Sequence, residues 1–200
     1  MEPAFQHGLA LAVAVALNPD LGMTAYLQAN NYSNEVSFQQ GIGLLPQPDG
    51  QLGSGGGLVG GTFFQGSHLK KVGEDALVYS EQFGETATEL HFSRTEQGTR
   101  VTGHLGDVPA TLEVQFYLDD QGLHIESNGT VGGQPYQLRT DALGEQWLSR
   151  GSLGGVAISK DYRAEQESSE GSQRLTVRGG GDNAGMPQSV NVALEFRKPG

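Results

Sequence analysis

Between Leu143 and Tyr162 the chain reads Leu143-Gly-Glu-Gln-Trp147-Leu-Ser149-Arg-Gly151-Ser-Leu-Gly154-Gly-Val-Ala-Ile-Ser-Lys160-Asp-Tyr162. The Gly154-Gly155 pair suits a two-residue hairpin turn, which needs backbone of positive φ. Folding the stretch there sets Leu153 opposite Val156, Ser149 opposite Lys160 and Trp147 opposite Tyr162. Side chains alternate along a strand, so these pairs share one face, and Arg150 and Asp161 fall on the other.

The same arithmetic runs outward in both directions. Turns at Asp120-Gln121, Gly132-Gly133 and Gly144-Glu145 pair Phe116 with Ile125, Gly129 with Tyr136, and Trp147 with Ala142. Turns at Gln97-Gly98, Asp107-Val108 and Ser169-Glu170 pair His91 with His104, Gly103 with Leu112, and Tyr162 with Val177. Every pairing keeps the same apolar face, although a slip of one residue would turn a strand over. The other face carries Glu113, Glu126, Arg139, Asp141, Arg163, Arg174 and Arg178. One dry and one wet face define a half-buried antiparallel sheet.

The run from Thr88 to Phe196 therefore reads as an all-β, antiparallel up-and-down meander. Its strands, with those expected before it, outnumber what an open twisted sheet tolerates. Closing into a barrel removes the exposed edges; a two-sheet β-sandwich is the alternative. A glycine step recurs at Gly103/Gly106, Gly129/Gly132 and Gly151/Gly154, and more loosely at Gly179/Gly181. Glycine weakens a strand, so its repetition on the dry face needs a cause. Three compete: kinks that let the sheet coil, room for a large neighbour, or a ligand close to the backbone.

Residues 1–69 are expected to pack on the same domain as the barrel body, residues 70–200. In Leu9–Leu17, Leu and Val alternate with Ala, which favours a strand over a short N-terminal helix. A strand is expected within Glu35–Leu45 and another from Val59 to Leu69, with Gly53–Gly57 between them as a linker or loop.

Composition narrows the function classes. A net charge of −11 argues against a nucleic-acid surface and against docking on anionic membranes. With no cysteine there is no disulfide, thiolate metal site or Cys nucleophile, which fits a reducing, cytoplasmic setting. Glu2 precedes the Leu9–Leu17 run and the first basic residue is Lys70, so no signal peptide is expected. That apolar run is also too short to span a bilayer as a helix.

Tyr136, Trp147, Ser149, Lys160 and Tyr162 all fall on the dry face, beside Ser127 and Thr140. Aromatic walls with a few hydroxyls and one amine match the lining of a small-molecule pocket. An inward Lys160 is desolvated and so a candidate nucleophile, base or carboxylate partner. His91 and His104, with Glu89 nearby, offer at most a weak metal site on the wet face, and a solvated polar pair is the simpler reading. Asp182 and Asn183 fall short of a calcium site, Asp119-Asp120 reads as a turn pair, and His124 should face Tyr117. No catalytic motif, metal or cofactor is expected. The reading is a non-enzymatic soluble barrel that binds a small, mostly apolar ligand inside or a partner through its loops. The alternatives are a homo-oligomeric assembly module and, third, an enzyme using Lys160 with Tyr162 or Tyr136 as proton donor.

Overall fold

The computed structural model describes residues 36–44, 51–59, 62–72, 76–83, 86–170 and 172–197. Leu9–Leu17, where strand and helix competed, lies outside the described residues. No helix occurs among those described. The first strands are β1 (Val36–Leu44), β2 (Gln51–Val59), β3 (Thr62–Lys71) and β4 (Ala76–Phe83). They are followed by β5 (Thr86–Arg94), β6 (Thr99–Leu105), β7 (Val108–Leu118), β8 (Leu123–Val131) and β9 (Gln134–Leu143). The series ends with β10 (Gln146–Leu153), β11 (Val156–Ser169), β12 (Ser172–Asn183) and β13 (Met186–Arg197).

From β5 to β13 each strand pairs antiparallel with the next, giving a nine-strand meander in one sheet. Four of its turns match the arithmetic residue for residue: Phe116 lies opposite Ile125, Gly129 opposite Tyr136, Ala142 opposite Trp147, and Ser149 opposite Lys160. Three are displaced by two residues. Phe92 faces Val101 and not Gly103, Gly103 faces Ala110 and not Leu112, and Tyr162 faces Gly179 and not Val177. A two-residue displacement leaves each side chain on its face, so the dry and wet sets survive the error. The first displacement arises because the turn is centred on Glu96-Gln97, one residue earlier than expected, and closes through Thr95 N–H to the Gly98 carbonyl at 2.8 Å.

The composition of Gly53–Gly57 predicts a loop, yet these residues lie within β2. Pairing needs only backbone groups, and β2 has partners in both β1 and β3. A shift between Gly55 and Gly56 leaves Gly66 of β3 as the extra residue of a bulge.

The inner face is apolar where expected. Leu90, Phe92, Val101 and Leu112 are fully buried, with Leu77, Tyr79, Val114, Ile125, Leu138, Ile158 and Val177 nearly so. Burying each of the larger side chains contributes roughly 2 kcal/mol.

The glycine step has a two-part cause. The first glycine sits where β-strand backbones press together: a Cβ at Gly129 would overlap the Thr111 carbonyl oxygen, and one at Gly151 the Gln137 carbonyl oxygen. Three residues later the second glycine opens the turn in the left-handed region, at φ +60° for Gly132 and +58° for Gly154. Its N–H reaches back to the preceding strand, from Gly132 to the Pro109 carbonyl (2.7 Å) and from Gly154 to the Pro135 carbonyl (2.8 Å). Close backbone approach, and not a large neighbour, explains the first glycine. The fourth step falls two residues later than its sequence suggests, at Gly181 and Ala184. A Cβ at Gly181 would meet the Ser159 carbonyl oxygen, and Ala184 takes the turn position at φ +53° with its N–H on the Ala157 carbonyl. Gly179 to Asn183 thus belongs to β12 and not to a hairpin loop.

Candidate functional site on the inner face

Four adjacent strands bring the site together. β9 supplies Tyr136 and Thr140, β10 supplies Trp147 and Ser149, β11 supplies Lys160 and Tyr162, and β12 supplies Asn183. The registers line Thr140, Ser149, Lys160 and Gly181 up in one row across the sheet, and Ala142, Trp147, Tyr162 and Gly179 in the next. The five residues picked out from the sequence are all buried: Tyr136, Trp147, Ser149, Lys160 and Tyr162 are at most 5% exposed.

Each polar group in this dry layer has a different situation. Thr140 Oγ1 and Ser149 Oγ share a hydrogen bond of 2.7 Å. Lys160 is fully buried, and desolvation holds its amine well below the usual lysine range. Burial likewise pushes the Tyr136 phenol up, and the Tyr162 phenol further under the added influence of Tyr136 and Asp161, so both keep their protons. The hydroxyls of Tyr136 and Tyr162 and the Oδ1 of Asn183 are buried with no hydrogen-bond partner among the described residues. Such groups in a native interior call for an explanation.

Neither a protein-family model, nor a curated protein, nor a solved structure matches the chain. The chemistry of the site therefore rests on its own geometry. The two phenol hydroxyls share a buried face with apolar residues such as Leu138 and Ile158.

The opposite face holds an arrangement that sequence reasoning missed. His124 lies across from Tyr117 as expected, with the two rings stacked at 4.9 Å. It is also clamped: Nδ1 lies 2.6 Å from Asp141 Oδ1, and Nε2 2.9 Å from Asp119 Oδ1. Arg139 Nε donates to Asp141 at 2.9 Å, and Asp119 Oδ1 also accepts from the Gln121 and Gly122 amides. Although it points to the wet side, His124 is only 3% exposed. The hydrogen bonds to Asp141 and Asp119 raise its pKa, and that to His124 leads in lowering Asp119. Burial alone would raise Asp141, but the bonds from His124 and Arg139 bring it below the usual range. With a carboxylate on each ring nitrogen, the arrangement favours the charged form of His124 and ties the β7–β8 turn to β9. The signal was available, because the Gly132-Gly133 turn already sets His124 opposite Asp141.

His91 and His104 do not meet as the sequence arithmetic expects. His91 faces Thr102 and bonds to Glu89 at 2.6 Å, while His104 Nδ1 lies 3.1 Å from the Gly106 carbonyl. Among the described residues no group of three His, Asp or Glu side chains is placed to hold a metal ion.

Proposed function

We propose that the meander closes into a barrel and that its interior carries a small, largely apolar ligand without transforming it. Closure is supported by the parallel register of β1 along β13, from Val36 opposite Gln188 to Leu44 opposite Phe196. A single parallel pair is what an odd number of strands in an otherwise antiparallel ring requires. Charged residues on the outward positions, such as Arg139, Arg150 and Arg163, support a barrel standing in water. No described helix is long and apolar enough to cross a membrane.

The observation that carries the ligand reading is the pair of buried, unpartnered phenol hydroxyls at Tyr136 and Tyr162, beside Trp147 and Lys160. An apolar interior bearing a few convergent polar groups is the usual form of a small-molecule site. Native mass spectrometry of protein purified from its own source tests it. The expected result is extra mass on a monomer that is lost on denaturation. An unliganded species, whether monomer or oligomer, overturns the carrier reading, and an unliganded oligomer points to assembly.

A further inference from the structure

His124 satisfies both of its carboxylates only while both ring nitrogens carry protons. A neutral imidazole has one donor and one acceptor, so a ring that loses its proton sets a lone pair against one of the two oxygens. The two carboxylates are held unequally. Asp141 lies closer, at 2.6 Å against 2.9 Å, is 27% against 45% exposed, and is also bonded by Arg139. Asp119 is held otherwise only by its own turn, through the Gln121 and Gly122 amides. The remaining proton therefore stays on Nδ1, toward Asp141, and the bond that is lost is the one from Nε2 to Asp119.

Because Asp119 Oδ1 accepts from two amides of its turn, carboxylate and backbone move together. The closing bond from Asp119 N–H to the Gly122 carbonyl, 3.1 Å, lies inside the turn and does not anchor it to β9. The other titratable and charged groups around the ring leave this outcome in place. Tyr117 of β7 stacks on it and reaches Glu126 of β8 at 3.4 Å, and Arg139 of β9 bridges Glu126 and Asp141. Farther across the sheet, Arg150 of β10 stands opposite Arg139 and is paired with Asp161. Among the described residues none of these bonds to Asp119 in place of the ring.

We propose that His124 is a pH-operated latch on the β7–β8 turn: protonated, it holds the turn to β9, and deprotonated, it releases Asp119 while keeping Asp141. The latch operates whether or not the interior holds a ligand. The turn joins the sheet at Leu118 and Leu123, at the start of the row that runs through Ala142 and Trp147 to Tyr162, so it acts at that end of the candidate site. The bonds to Asp141 and Asp119 raise the folded pKa of the ring, so the turn is held below that value and released as pH rises through it.

Nuclear magnetic relaxation of the Gly122 α-carbon, a probe that solvent exchange does not erase, tests the latch in the full chain. The His124 ring protons report the titration in the same samples, from about pH 5 to about pH 9. The Gly122 order parameter should stand near about 0.85 below the midpoint and fall under about 0.6 above it. Gly132, whose N–H bonds to the Pro109 carbonyl in another turn, should stay rigid throughout. Asp119→Asn should remove the step, because a side-chain amide can accept from the protonated ring and donate to the neutral one. A Gly122 that stays ordered above the midpoint, or a ring with no midpoint in this range, overturns the latch. So does equal loosening at Gly132, or the same step in Asp119→Asn.

Discussion

Lys160 and His124 are both nearly inaccessible, 0% and 3% exposed, and the fold drives their titration in opposite directions. Lys160 projects into the dry layer, where desolvation disfavours its charge. His124 lies on the wet face under the Tyr117 ring, where two carboxylates favour its charge. Burial by itself does not set the sign of a pKa shift; the partners supplied along with it do. The contrast also divides the sheet by role. Its outer face keeps charges by pairing them, which stabilises a turn, while its inner face keeps polar groups in an apolar layer.

Replacing the inner cation gives the largest expected effect. Lys160→Met keeps the side-chain length and removes the amine, so it should abolish the pH dependence that the desolvated amine gives to stability. The folded pKa of Lys160 is depressed, so between that value and its unfolded value of about 10.4 the unfolded chain binds the extra proton. The parent protein should therefore become more stable as pH rises through that window, and the variant should not. Urea unfolding at pH 7 and pH 10 measures both. The same rise in the variant would mean that Lys160 is not its source, and the contrast with His124 would collapse.

Thr140→Val probes the inner face without touching a charge. It leaves the Ser149 hydroxyl buried and removes a bond of 2.7 Å. The expected loss is about 1 kcal/mol, the same at pH 6 and pH 9, because neither partner titrates. A pH-dependent loss would show that this hydroxyl pair is coupled to Lys160.

Face alternation was legible in the sequence, and with it the burial of Tyr136, Trp147, Ser149, Lys160 and Tyr162. It depends only on strand parity, which a two-residue displacement preserves, as at Phe92 and Val101. Exact pairing was legible at Asp120-Gln121, Gly132-Gly133, Gly144-Glu145 and Gly154-Gly155. It missed by two residues at Gln97-Gly98, Asp107-Val108 and Ser169-Glu170, the first because the turn is centred one residue earlier, on Glu96-Gln97. The fourth glycine step was displaced because Ala184 occupies a left-handed position that glycine usually marks. β2 was hidden for a different reason: it pairs through backbone groups that composition does not report. The His124 clamp was half legible. Strand pairing gave Asp141, but Asp119 reaches the ring from the turn, and its reach depends on the loop conformation held by the Gln121 and Gly122 amides.

The smallest effect is expected at the outer cation, and it should carry the opposite pH sign. The folded pKa of His124 is raised, so its contribution is fully present below the unfolded value of about 6.5 and is lost as pH climbs through the folded value. Asp119 and Asp141 are lowered, so their share is present above about 3.8 and is lost as pH falls through their folded values. Stability from the clamp should therefore be greatest between roughly pH 4 and pH 6.5. His124→Gln should flatten both limbs while leaving the alkaline rise from Lys160 intact. Asp119 is 45% exposed, so added salt should weaken the clamp and leave the inner-face effect almost unchanged. Melting curves from about pH 2 to pH 10, at low and high salt, separate the two faces. If His124→Gln leaves the neutral limb unchanged, the ring does not hold its proton there, and the stacked Tyr117 rather than the carboxylates keeps it in place.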